Sequence, residues 1–468
     1  MPVLREPLGA RMSTCTEERA RIPDALLARE LRAPRYTSYP TALAFKPDFP
    51  ISDYVNAARL SARCVEPLSL YLHVPFCASN CFYCGCNRIV SRNPDRIAHY
   101  VEALIEEIRL KAALIGPARR VEQIHFGGGT PNSLVPSQFG DLLSQLGKRL
   151  KLAPADQLEL SMEADPRMAT PTDVAQWRRL GFNRLSFGVQ DIDDQVQLAI
   201  NRVQSAAQVS LLTEAAREVG FASLNYDLVY GLPKQTLKGF DRTLDFVVDQ
   251  RPDRVAVFHY AHLPQLFAAQ RAIDAATLPA LETRLALRNL AHARLTACGY
   301  RAIGLDHYAL PDDALAQAQG RQALHRNFQG YTTMSGRDVL GFGVSAISQL
   351  GRTFSQNERD LAAYLAAVAH HRLPIARGYR QTAEDALRAD VIESVMCKGA
   401  VDYAEIGQRH AVDAAALFAE ERLCLRELDP EQRWLHADER GIAIEADGRH
   451  LLRLVAMTFD RHTPRPPA

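Results

Sequence analysis

The chain has 468 residues, 47% of them hydrophobic and 23% charged, with a formal net charge of +1. That length suggests about three domains by the usual prior and supplies a core that needs no disulfides. The near-neutral charge argues against an extended nucleic-acid footprint, and no apolar run is long enough to span a bilayer.

Residues 1–30 mix arginines with acids and hold no apolar signal core. The expected compartment is therefore the cytoplasm, where clustered cysteines serve metals or catalysis more often than disulfides. An irregular arm at 35–50 leads into six apolar, strand-like runs: LSLYLHV, VEQIHF, LELSME, RLSFGV, SLNYDLVY and RVAVFHY. Segments with apolar residues at helical spacing, such as 98–113 and 205–219, lie between them. Strand–helix alternation predicts βαβ units and a parallel sheet. The fold expected is α/β, a (β/α)6-type barrel or partial barrel, with extra strands near YRAIGLDHYA and DVLGFGVSAIS. The expected division is an arm and lead-in over 1–60, a catalytic partial barrel with its extension over 61–375, and a smaller, mainly helical domain over 376–468.

The polar chemistry gathers after these runs. CASNCFYCGC follows the first run, GGGTP the second, and YAHLP the sixth. Glu163 ends the third run, Gln190 follows the fourth, and Asp227 lies in the fifth. Right-handed βαβ connections bring all such strand ends to one face, which in a (β/α) barrel is the active-site face. The spacing C-x3-C-x2-C-x-C, at Cys77, Cys81, Cys84 and Cys86, gathers four soft ligands in one loop. A four-cysteine zinc site more often uses two separated pairs, and one loop can instead wrap an iron–sulfur cluster. Spacing alone leaves cluster, zinc and redox thiols open, in that order. Cys15, Cys64, Cys298, Cys397 and Cys424 are scattered and read as small buried or tolerated residues.

The loop C-x3-C-x2-C after a first strand resembles the radical S-adenosylmethionine (SAM) superfamily. The resemblance implies that Cys77, Cys81 and Cys84 hold three irons of one [4Fe–4S] cluster while SAM chelates the fourth, and that Cys86 is an additional thiol beside it. PRYTSYPTA, FGGGTP, NRLSFGVQD, YDLVYGLPKQT, GLDHYA, HRNFQGYTT and GFGVSAIS together resemble the oxygen-independent coproporphyrinogen III oxidase (dehydrogenase) family. That family implies oxidative decarboxylation of two propionates of coproporphyrinogen III to vinyl groups, giving protoporphyrinogen IX. A 5′-deoxyadenosyl radical from SAM removes each propionate β-hydrogen. An electron donor for the cluster and an unidentified electron acceptor are implied as partners, and a monomer with two bound SAM molecules is expected.

Carried over by position, Tyr71, Gly128, Gly129, Thr130, Glu163 and Gln190 are expected SAM contacts, as are Arg202, Asp227, Ala261 and Ile347. Tyr83, Gly129, Thr130, Glu163 and Arg202 are expected beside a second SAM, and Tyr83 and Cys86 are the catalytic candidates. Arg35, Tyr36, Tyr39, His325, Arg326 and Gln329 are expected on the substrate side, with Arg35 and Arg326 in a local basic pocket for its carboxylates. Three positions depart from the family pattern: Ile192 after GVQD, EADP at 163–166, and MCKGAVDY, whose Lys398 and Gly399 are expected to give a looser or more cationic lid if that domain covers the substrate. A radical SAM enzyme acting on heme, or a heme-delivery chaperone, is the alternative function.

Overall fold

The computed structural model describes residues 22–334 and 338–463. Cys15 and most of the segment read for a signal lie outside the described residues. All six apolar runs form strands: β1 (Leu68–Val74), β2 (Arg120–Gly128), β3 (Glu159–Ala164), β4 (Arg184–Gln190), β5 (Ser223–Tyr230) and β6 (Arg254–His259). A helix follows each in turn: α1 (Pro94–Ile115), α2 (Pro136–Arg149), α3 (Pro171–Arg179), α4 (Ala206–Glu218), α5 (Leu237–Gln250) and α6 (Leu281–Ala297). Local chemistry sets the helix starts. Asn93 accepts hydrogen bonds from the N–H groups of Asp95 and Arg96, with Pro94 in the first turn. Thr170 and Asp173 cap α3 reciprocally.

The six strands lie in the order β6-β5-β4-β3-β2-β1, all parallel. Every residue of β1 except Tyr71 is buried, as expected for a parallel strand covered on both faces. Phe126 of β2 packs edge-on against Phe139 of α2, with ring centroids 5.1 Å apart, so the helix layer is locked to the sheet by aromatic contacts. The sheet does not stop at β1. Val339–Phe342 adds a further parallel strand beside it, and Ile347–Leu350, Thr353–Asn357 and Ile375–Arg380 continue antiparallel. At the other edge His307–Ala309 pairs antiparallel with β6, and Arg301–Ile303 pairs antiparallel with His307–Ala309 in turn. The barrel is therefore partial, and its strand C-termini open on one face.

The C-terminal region combines helices, Ala383–Lys398 and Leu452–Thr458 among them, with a three-stranded antiparallel sheet of Ala400–Asp402, Gly441–Ile444 and Leu435–Ala437. Its core includes Val391, Val395, Trp434 and Leu454, and Leu27, Leu31, Tyr36 and Tyr39 from the start of the chain share it. Arg453 donates to both Glu30 oxygens at 2.6 and 2.9 Å, so the two ends of the chain are joined by a buried ion pair as well as by packing. Lys398 stands 3.9 Å from Glu405. Gly399 closes the long helix at φ 68°, a conformation glycine adopts without strain. This departure forms a helix stop. No helix among the described residues is long and apolar enough to cross a membrane.

Candidate active site

The thiol loop is closed at its base. Phe76–Cys77 pairs in parallel with Ile89–Val90, and Ser91 N–H donates to the Cys77 carbonyl at 3.0 Å. Arg88 fills the loop from within, donating to the carbonyls of Cys84 at 3.3 Å and Cys81 at 3.2 Å and to the Asn80 side chain. A guanidinium can satisfy several inward carbonyls at once, which keeps the turns fixed.

Three sulfurs each face a donor. The Thr130 hydroxyl lies 3.3 Å from Cys77 Sγ, and Cys86 N–H donates to Cys84 Sγ at 3.4 Å. Arg167 and Arg202 both stand 3.6 Å from Cys81 Sγ. The Cys86 thiol donates to Cys84 and so holds the Cys84 thiol below its ordinary pKa, with Arg88 adding to the effect. The same bond, together with burial, holds Cys86 above its ordinary range. Burial pushes the Cys77 thiol up to about 11.

These thiols open into a cavity of about 420 Å³ whose wall is built from the ends of β2 to β6. Gly128 has φ 119°, and a Cβ there would lie 2.7 Å from the His73 ring. A Cβ on Gly129 would lie 2.4 Å from the Pro75 carbonyl oxygen and 3.1 Å from Cys77 Sγ. The GGGTP turn therefore runs close beside the thiol loop because it lacks side chains. Glu163 accepts the Gly128 N–H at 3.1 Å and lies 3.6 Å from His125. Burial alone would raise its pKa, but His125 and the Gly128 N–H hold it below the ordinary carboxylate value.

Asp227 behaves oppositely. Burial and the charge of Glu163 raise it to about 6, although Ser186 and Asn225 donate to it at 3.0 and 2.9 Å. Arg202 is fixed by Asp165 at 3.0 Å and by the Gly188 carbonyl at 2.7 Å. Gln190, at φ 65°, turns the chain at the end of β4.

The radical SAM superfamily model matches residues 71–247. Oxygen-independent coproporphyrinogen III oxidase from Pseudomonas aeruginosa is 43% identical over 446 residues, covering 94% of this chain and 96% of that protein. The protein of that name from Escherichia coli is 45% identical over 430 residues, covering 92% and 93%. The chain belongs to the oxygen-independent coproporphyrinogen III oxidase family. A solved structure of coproporphyrinogen III oxidase from Escherichia coli, described as a radical SAM enzyme, superposes with a TM-score of 0.88 at 44% identity, covering 92% of this chain and 98% of that one.

Membership of this family makes a [4Fe–4S] cluster and SAM the cofactors, and the donor set fits them. Among the described residues no group of three or more His, Cys, Asp or Glu side chains could hold a single metal ion. Cys77, Cys81, Cys84 and Cys86 nevertheless all border one cavity, and the first three sulfurs receive the hydrogen bonds by which a protein tunes cluster thiolates. Tyr83, Gly128, Gly129, Thr130, Glu163 and Gln190 share the cavity wall with Arg202, Asp227 and Ala261.

Two expected SAM contacts stand outside that wall. The Tyr71 hydroxyl is 3.0 Å from His73 and its ring stacks on His125, so it supports the neighbour of Glu163. Ile347 begins the strand beyond Val339–Phe342.

The expected substrate residues divide. Arg35 lines the cavity. Tyr36 and Tyr39 do not: both are buried in the C-terminal core, Tyr36 donating to Asp460 at 2.9 Å and Tyr39 accepting from Arg461 N–H at 3.0 Å. Their aromatic bulk is used for packing. His325 is tied to Glu393 at 2.9 Å, and Arg326 lies over the Tyr331 ring at 4.3 Å. Gln329 faces a second cavity of about 220 Å³, which shares Glu163, Ser186, Asp227 and Phe258 with the first. Residue-by-residue reading missed Arg88, His125, Asp165 and Arg167. Asp165 and Arg167 adjoin the quoted Glu163, and a pair of opposite charges flanking Pro166 was the available signal.

Proposed function

We infer that this chain is an oxidoreductase that converts two propionates of coproporphyrinogen III to vinyl groups without oxygen, yielding protoporphyrinogen IX for heme biosynthesis. The observation that carries the reading is identity of 43–45% to proteins of that named activity along 92–94% of the chain, with the thiol loop, GGGTP and the acidic strand ends converging on one cavity. Cys77, Cys81 and Cys84 would hold the cluster, with Cys86 a further thiol beside it. Bound together, the cluster and SAM supply the one-electron chemistry that removes a propionate β-hydrogen. Glu163 and Asp227 would accept hydrogen bonds from SAM's ammonium or ribose hydroxyls, and the unpartnered Nε of Arg202 would donate to a carboxylate. Two SAM molecules are taken up, Tyr83 standing beside the second. An electron donor for the cluster and an acceptor for the electron left after CO2 departs complete the balance.

The test is anaerobic incubation of the reconstituted chain with coproporphyrinogen III, SAM and a reductant, followed by mass spectrometry. Sequential mono- and divinyl products are expected. Cleavage of SAM with no vinyl product, or transfer of a methyl group to heme, would overturn the reading.

A further inference from the structure

Behind the cofactor cavity lies a small chamber of about 30 Å³, lined by Glu30, Arg35, His259, Asp306, Arg288 and Arg453 among others. Arg35 and His259 border both spaces, so they form the partition between them. The chamber holds three guanidiniums against two carboxylates. Its acids are already engaged: Glu30 takes two hydrogen bonds from Arg453 at 2.6 and 2.9 Å, and Asp306 is bonded to His307 at 2.7 Å.

Arg288 is left over. It projects from α6 with 9% of its surface exposed, and its Nε and Nη2 have no hydrogen-bond partner. Its approach to Glu30 is 4.0 Å. His259 Nε2 is likewise buried without a partner, and Arg35 donates to the His259 carbonyl at 3.1 Å, holding the two side by side. Burial, with Arg453, Arg284, Arg35 and Arg288 nearby, depresses His259 to about 3 and keeps it neutral.

Buried donors without partners cost free energy. Two adjacent guanidinium N–H groups match the two oxygens of a carboxylate.

We propose that Arg288, with Arg35 and His259, is a carboxylate receptor that takes one propionate of the porphyrinogen through the partition while another propionate is presented to the cofactors. This rests on the proposed function and adds to it the residues that orient the substrate. The chamber admits a carboxyl group but not a pyrrole ring, so the macrocycle stays in the larger cavity. Arg288 is then a specificity-determining residue supplied by the helix after the last barrel strand, remote from every cofactor motif.

The test is anaerobic calorimetric titration of the full chain with coproporphyrinogen III and, separately, with its tetramethyl ester. For Arg288→Met, the dissociation constant for the tetra-acid should rise about 10–100-fold while that for the ester changes less than twofold. Arg288→Lys, which keeps the charge but not the fork, should fall between and serves if the methionine variant does not fold. Equal tetra-acid affinity in wild type and variant, with wild-type turnover intact, would overturn the receptor and leave the function standing. A wild type that neither binds nor converts the tetra-acid would remove both.

Discussion

At the front of the cavity, arginines spend most of their hydrogen bonds on the protein. Arg202 binds Asp165 and the Gly188 carbonyl, and Arg88 binds the carbonyls of its own loop. At the rear, Arg288 leaves both Nε and Nη2 without a partner, a whole fork of N–H groups where Arg88 and Arg202 each leave only Nε, and His259 Nε2 is unpartnered beside it. The two regions are within one partition of each other and both are lined by arginines, yet they serve different ends. Guanidiniums already paired inside the protein fix the shape of a loop and the position of sulfur and carboxylate groups. A buried guanidinium whose two adjacent N–H groups both lack a partner is ready to take a carboxylate.

The largest effect expected is at the front. Cys77→Ser, Cys81→Ser or Cys84→Ser should each remove the visible absorption of the anaerobically reconstituted protein and reduce vinyl product below detection. Retention of full iron content in any of the three would break the assignment.

Gly129→Ala comes next. The added Cβ would meet the Pro75 carbonyl oxygen, a backbone atom that cannot swing aside. A cost of about 1–3 kcal/mol is expected for such overpacking, read as a lower denaturation midpoint together with reduced iron loading.

A subtler effect follows from the opposed carboxylates. Asp227 sits at about 6 because of burial and Glu163. A carboxyl group with a raised folded pKa stabilises the fold at low pH, and that contribution is lost as pH rises through about 6. SAM binding through ionised Asp227 should show the reverse trend, weakening by up to about tenfold for each pH unit below 6. Glu163→Gln should move this midpoint downward, which SAM titrations between pH 5 and 8 would reveal. An unmoved midpoint would sever the two carboxylates.

The smallest effect is at the C-terminal departure. Gly399→Ala should cost about 1 kcal/mol of stability, through the left-handed backbone alone, with no change in the ratio of 5′-deoxyadenosine to vinyl product.

Much of the front was legible in the sequence because spacing carries it. Six apolar runs, each followed by a polar loop, specify one active-site face once parallel βαβ handedness is applied. Cys77, Gly129, Glu163 and Asp227 then fall together without any knowledge of side-chain packing. The rear was not legible. Arg288 is one arginine on an amphipathic helix, and nothing in its neighbours in sequence distinguishes it from the exposed arginines of the same chain. Its burial follows from α6 packing under the ends of the chain, where Glu30 and Arg453 meet across 423 positions. Tyr36 and Tyr39 show the converse. They lie in a segment typical of the family, but the fold turns them into the C-terminal core, where two buried hydroxyls find Asp460 and the Arg461 backbone.

The account depends most on the division of labour within the loop 77–86, three sulfurs for iron and one held back. Electron paramagnetic resonance of the reduced, anaerobically reconstituted wild type and Cys86→Ser, each recorded before and after adding SAM, tests it directly. Both proteins should show a [4Fe–4S] signal that shifts when SAM is added, because neither cluster uses Cys86 to close its fourth iron. Loss of the cluster in Cys86→Ser, or a wild-type signal that SAM leaves unchanged, would contradict the account.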